Sequence, residues 1–125
     1  MKRVLVVDDS PLMRRYVVRS LAMAAMDITV YEAGNGREAA KMAQEIFPDL
    51  VITDLNMPEM SGGELIAWLH AAPGLEHVPV LILSADQGQK RSSELLASGA
   101  VAYLTKPATP ETLRRSIAGL VGGRI

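Results

Sequence analysis

Three carboxylates, one hydroxyl and one amine are the residues of this chain best suited to chemistry: Asp8, Asp9, Asp54, Ser84 and Lys106. Each stands where a short apolar run stops. Val4-Leu5-Val6-Val7 runs into Asp8-Asp9, Leu50-Val51-Ile52-Thr53 into Asp54, and Val80-Leu81-Ile82-Leu83 into Ser84. Val101-Ala102-Tyr103-Leu104 is followed by Thr105-Lys106. Near-continuous apolar runs of this length read as strands covered on both faces, and open α/β sheets place their ligands at the carboxyl ends of such strands. Close carboxylates resist joint ionisation unless a hard cation neutralises them, and oxygen-only ligands suit Mg²⁺, with Mn²⁺ as an alternative. Taken singly, each residue has an ordinary role: Asp9 as a helix cap, Ser84 as a turn hydroxyl, Lys106 as a surface charge, Asp54 as a turn carboxylate. Their joint placement at strand ends is what those ordinary roles leave unexplained.

The elements that must position these residues alternate between two periodicities. After the first strand, Ser10-Pro11 opens a helix, with Pro11 suited to its first position and Asp9 or Ser10 to its N-cap. Met13, Val17, Leu21 and Ala24 recur at helical spacing and supply its core face. Ile28-Thr29-Val30-Tyr31-Glu32-Ala33 alternates as a less covered edge strand would. Gly34-Asn35-Gly36 leads into an Ala-rich helix over 37–47, which Pro48 ends. Pro58 and Ser61-Gly62-Gly63 supply turn chemistry after Asp54, before a short helix over 64–70 that faces Leu65, Ile66 and Leu69 inward. A helix over 87–98 is stopped by Gly99, and residues 87–93 carry no large apolar side chain, so its first half is weakly anchored. Thr109-Pro110-Glu111 starts the last helix, with Leu113, Ile117 and Leu120-Val121 as its stripe, and Gly122-Gly123 lets its end fray.

Composition narrows the class. A chain of 125 residues fits one domain spanning 1–125. Its net charge of −1 suggests no footprint on nucleic acid or anionic membrane. With no Cys there are no disulfides, thiolate metal sites or cysteine nucleophile, in keeping with a reducing, cytoplasmic compartment. The apolar run after Met1-Lys2-Arg3 is too short for a signal peptide, and no segment approaches a membrane span.

Five strands, each followed by a helix, imply a doubly wound parallel α/β sheet with right-handed crossovers. A dinucleotide-binding half lacks its G-x-G-x-x-G after the first strand. A flavin phosphate would meet Asp8-Asp9 at the first βα turn and be repelled unless a cation intervened.

Taken together, Asp8-Asp9, Asp54 in Asp54-Leu55-Asn56-Met57-Pro58, Ser84-Ala85 and Lys106-Pro107 resemble the signature of response-regulator receiver domains, CheY-like, over nearly the whole chain. The resemblance implies a flavodoxin-like sheet of order 2-1-3-4-5, in which strands one and three are neighbours and the three carboxylates share one crevice. It implies that Asp54 is the phosphoacceptor, that Asp9, Asp54 and the Asn56 backbone carbonyl are Mg²⁺ ligands, and that Asp8 acts mainly through water. Ser84 resembles the hydroxyl that binds the phosphoryl group, Lys106 its cationic partner, and Tyr103 the aromatic switch residue. The bond between Lys106 and Pro107 is cis in the family. Asn56 and Asp86 stand where the family varies and tunes dephosphorylation.

The function so implied is a phosphorylation-activated switch in two-component signalling, chemotaxis being one such process, rather than a classical enzyme. It would take its phosphoryl group from a sensor histidine kinase and signal to a downstream target protein through the fourth helix, fifth strand and fifth helix. A phosphatase is a further partner the family uses. A carboxylate is a weak nucleophile, so positioning and charge neutralisation must drive the transfer, and ionised Asp54 needs no general base. His70 and His77 are therefore expected at the surface. Three other readings compete: a receiver belonging to a larger regulator with a DNA-binding output domain, an aspartyl-phosphate hydrolase of the haloacid dehalogenase type, and a pseudo-receiver that only binds proteins. The hydrolase would want a second Asp where Asn56 stands.

Overall fold

The computed structural model describes residues 2–23, 27–85, 89–106 and 108–120. Strands and helices alternate: β1 (Lys2–Val7), α1 (Pro11–Met23), β2 (Ile28–Ala33), α2 (Gly36–Ile46), β3 (Leu50–Thr53), α3 (Gly62–Ala71), β4 (Val80–Ser84), α4 (Gln89–Ala97), β5 (Ala102–Thr105) and α5 (Pro110–Leu120). All strand pairs are parallel and the order is β2-β1-β3-β4-β5. The sequence expectation of a flavodoxin-like doubly wound sheet holds.

Alternate strand residues serve two cores. Leu5, Val7, Val51, Val80 and Ile82 point to one face, against Ala39 and Ala43 of α2, Leu65, Ile66 and Leu69 of α3, and Leu95 of α4. Val4, Val6, Leu50, Ile52, Leu81 and Leu83 point to the other, against Val17 and Leu21 of α1 and Leu113 and Ile117 of α5. Burial on both faces is why these strands read as unbroken apolar runs. β2 pairs only with β1 and is half-buried along its length up to the buried Ala33, so the alternation in its sequence does not become alternating burial.

Helix starts carry side-chain caps. The Ser10 hydroxyl accepts from the Met13 amide at 3.3 Å, Asn35 Oδ1 from Glu38 at 2.7 Å, and Thr109 Oγ1 from Thr112 at 3.1 Å. Ser61 and Glu64 form a reciprocal capping box on α3. That box corrects the reading of Ser61-Gly62-Gly63 as turn chemistry, because both glycines lie inside the first turn of α3. Gly62 is there for close approach. A Cβ on it would lie 2.6 Å from the Asp54 carbonyl oxygen and 3.1 Å from Leu55 Cα. α2 ends one residue earlier than expected, on Phe47 in the left-handed conformation (φ 48°), ahead of Pro48.

β5 begins at Ala102, one residue later than the apolar run suggests, and Val101 is exposed. Ala24, Asp86, Gln87, the partner proline of Lys106 and residues 121–125 lie outside the described residues. So do the side chains of residues 89–92, and with them most of the expectation of a weakly anchored start to α4.

Candidate functional site

The carboxyl ends of β1, β3, β4 and β5 meet at one edge of the sheet. Parallel register sets this: Val7 pairs with Thr53, Thr53 with Ile82, and Ser84 with Thr105. Asp8, Asp54, Ser84 and Lys106 are therefore carried to the same end. Main-chain bonds lock the frame, with the Asp54 amide donating to Val7 O at 2.9 Å and the Lys106 amide to Ser84 O at 2.8 Å.

One carboxylate oxygen from each of Asp8, Asp9 and Asp54 lies within 4.8 Å of the other two. Asp8 is buried, Asp54 half-buried and Asp9 exposed. The Lys106 ammonium lies 2.8 Å from Asp8 Oδ2 and 3.5 Å from Asp54 Oδ2. The other Asp54 oxygen accepts from the Leu55 amide at 2.8 Å. Burial pushes the Asp54 carboxyl above its ordinary range; Lys106 pulls it down, and the neighbouring Asp8 charge pushes it up again. Three hard oxygen donors and an under-neutralised carboxylate fit a divalent cation of the Mg²⁺ type.

The remaining expected residues fall around this cluster. Ser84 is buried at the end of β4. Asn56 is exposed in the loop that follows Asp54. Tyr103, opposite Ile82 on β5, is half-buried and packs against the core beneath α3 and α4. His70 and His77 are exposed, as expected.

Residues that no motif announced complete the site. Thr53, fully buried, donates its hydroxyl to Asp54 O at 2.9 Å. Arg14, one turn into α1, donates from Nη1 to Asp8 O at 2.7 Å and from Nε to Glu32 Oε1 at 3.1 Å. The signal for Arg14 was weak: an arginine six residues after Asp8, on a helix whose start was already assigned.

The response regulator receiver domain family matches residues 4–118, which include every one of these positions. The chain belongs to that family. The receiver domain is 34% identical over 121 residues to a chemotaxis protein CheY homolog of Campylobacter jejuni, covering 96% of this chain and 92% of that one. It is 36% identical over 123 residues to the sensor histidine kinase TmoS of Ectopseudomonas mendocina, covering 98% of this chain but only 12% of the kinase. The chain thus spans a small part of some curated relatives it matches and nearly all of others. Among solved structures it resembles chemotaxis protein CheY4 of Vibrio cholerae, with a TM-score of 0.87, 35% identity, and coverage of 96% of this chain and 98% of that one. The receiver domain is a regulatory part of two-component systems. Among its described residues no helix is long and apolar enough to cross a membrane.

Proposed function

We propose that this receiver domain, one unit over residues 1–125, accepts a phosphoryl group on Asp54 from a phosphohistidine of a sensor histidine kinase. An Asp54 oxygen attacks phosphorus, the phosphorus–nitrogen bond breaks as the oxygen–phosphorus bond forms, and the histidine nitrogen leaves with the electron pair. The product is an acyl phosphate. Ionised Asp54 has no proton to lose, so neither histidine of the chain is needed as a base. The observation that carries this reading is the Asp54 carboxylate at the mouth of β3, with Lys106 Nζ at 3.5 Å and oxygens of Asp8 and Asp9 within 4.8 Å.

Asp9 and Asp54 would hold Mg²⁺ with the Asn56 carbonyl, and Asp8 would act through water. Bound there, the ion supplies positive charge to phosphoryl oxygens. Lys106 supplies charge from the other side and Ser84 a hydroxyl. Tyr103 then reports the change to the face made by α4, β5 and α5, where a downstream target protein docks. With Mg²⁺ and acetyl phosphate, intact mass should show one acid- and base-labile phosphoryl group on the parent and none on Asp54→Asn. Unchanged labelling of that variant sinks the assignment.

The likeness to a CheY homolog supports a chemotaxis-type switch, with the cytoplasm as its compartment. The match to a small part of TmoS keeps a second reading, a receiver within a larger regulator. The full-length reading frame separates the two. A resident phosphatase partner would be read from faster loss of the label in cell extract than in buffer.

A further inference from the structure

Asp8 is held at every polar atom. Its amide donates to Ala33 O at 3.2 Å, Oδ1 accepts from the Ser10 amide at 2.9 Å, Oδ2 from Lys106 at 2.8 Å, and its carbonyl from Arg14 Nη1 at 2.7 Å. Asp9 differs. It is exposed, and no hydrogen bond or ion pair holds its side chain among the described residues. Its place in the carboxylate cluster depends on its backbone. The Asp8 carbonyl and the Asp9 amide belong to one rigid peptide plane, so the group that grips that carbonyl orients the bond leading to Asp9. That group is the Arg14 guanidinium.

Glu32 has the complementary task. Arg14 is a full positive charge one peptide away from a cluster expected to bind a cation, and its field would oppose that binding. The Glu32 carboxylate, 3.1 Å from Arg14 Nε, cancels the charge while leaving Nη1 aimed at Asp8 O. Glu32 is fixed by β2, whose register with β1 puts it opposite Val6, two residues before Asp8. The pair joins α1 to the edge strand directly behind the acidic turn.

We infer that Arg14 and Glu32 form a positioning pair for the divalent-cation site, with Arg14 orienting the Asp8–Asp9 peptide and Glu32 cancelling the charge of Arg14. The inference rests on the cation reading of Asp8, Asp9 and Asp54. The two residues then fail in different ways. Losing Arg14 is a geometric fault that screening does not repair. Losing Glu32 leaves an unbalanced charge, whose effect salt screens.

The test is Mg²⁺ titration of the full chain by calorimetry at low and high ionic strength, for the parent, Arg14→Met, Glu32→Gln and Asp9→Ala. Melting temperatures without Mg²⁺ are measured alongside. Arg14→Met should weaken Mg²⁺ binding about tenfold, as loss of an outer partner of a metal ligand commonly does. The defect should persist at high salt, where the field of the unpaired Glu32 carboxylate, which favours a cation at low salt, is screened. Glu32→Gln should weaken binding at low salt and approach the parent at high salt. If both variants bind Mg²⁺ as the parent does, whatever their melting temperatures, the pair is merely structural and the inference is overturned. Should Arg14→Met not fold, Glu32→Gln decides by its salt dependence alone. A parent that ignores Mg²⁺, or an Asp9→Ala variant that binds like the parent, overturns the cation reading itself and the inference with it.

Discussion

Lys106 is closer to Asp8 than to Asp54, with its ammonium 2.8 Å from the first and 3.5 Å from the second. Asp8 is nearly inaccessible and Lys106 only 12% exposed at the side chain, so this ion pair is poorly screened. Removing one partner would strand a buried carboxylate. Lys106→Ala should therefore cost about 3 kcal/mol in urea unfolding without Mg²⁺. The loss should shrink when Mg²⁺ is added, because a second cation source then meets Asp8 and Asp54. The variant should still accept some phosphoryl group but give a weaker conformational response. A loss that Mg²⁺ does not reduce would separate Lys106 from the cation site.

Saturating Mg²⁺ should stabilise the parent, since a ligand that binds only the folded state adds about 2.7 kcal/mol at a hundred times its dissociation constant. Asp9→Ala should lose most of this gain, because Asp9 contributes one of the three clustered carboxylate oxygens. Thermal melts across a Mg²⁺ series check both. A melting temperature indifferent to millimolar-scale Mg²⁺ would rule out the cluster as a metal site.

Asp54 has a raised carboxyl because it is buried, with Asp8 adding to the rise against Lys106. Its folded value is therefore above the ordinary 3.8, and folding favours the protonated form. The stability it contributes is fully present below the unfolded value and is lost as pH rises through the folded value. Without Mg²⁺, Asp54→Asn should be more stable than the parent at neutral pH, and the difference should narrow in acid. Denaturant midpoints for the two proteins from pH 4 to pH 7 test the sign.

Gly62 meets the Asp54 carbonyl too closely to accept a side chain, with a Cβ placed 2.6 Å from that oxygen. Gly62→Ala must push α3 away from the Asp54 loop, at about 1–3 kcal/mol in stability. The phosphorylation rate with acetyl phosphate should fall further than stability alone explains. Gly63→Ala is the control, because its Cβ would find ordinary contacts at 3.5 Å and beyond. Equal behaviour of the two variants would contradict the close-approach account.

A phosphoryl group on Asp54 adds charge and strong acceptors next to Ser84. As Ser84 moves toward it, the space behind β4 should be taken by Tyr103, which already packs against that core. Hydrogen exchange with and without beryllofluoride should change at Tyr103 and through α4. Changes confined to the Asp54 loop would disprove the coupling.

The acidic residues, the five strand–helix repeats and much of the core stripes, such as Val17 with Leu21 and Leu113 with Ile117, were legible in the chain, for local reasons. A strand buried on both faces must be apolar throughout, so Leu50-Val51-Ile52 and Val80-Leu81-Ile82-Leu83 announce themselves. A carboxylate that ends such a run is conspicuous. Helix caps at Ser10 and Thr109 follow from side-chain chemistry within three residues. Strand order was not local; it came from family resemblance, because the pairing of β1 with β3 spans more than forty residues. Gly62 looked like turn chemistry, since a glycine required by a distant carbonyl has the same letter as one required by its own φ angle. Arg14 had only a weak signal and its pairing with Glu32 none, the two being eighteen residues apart and joined only when parallel pairing sets β2 beside β1. The sequence by itself determined which chemical groups stand at or just beyond the strand ends: Asp8, Asp9, Asp54, Ser84 and Lys106. The tertiary structure alone decided which of them touch, because contacts such as Lys106 with Asp8, ninety-eight residues apart, exist only once the sheet has closed.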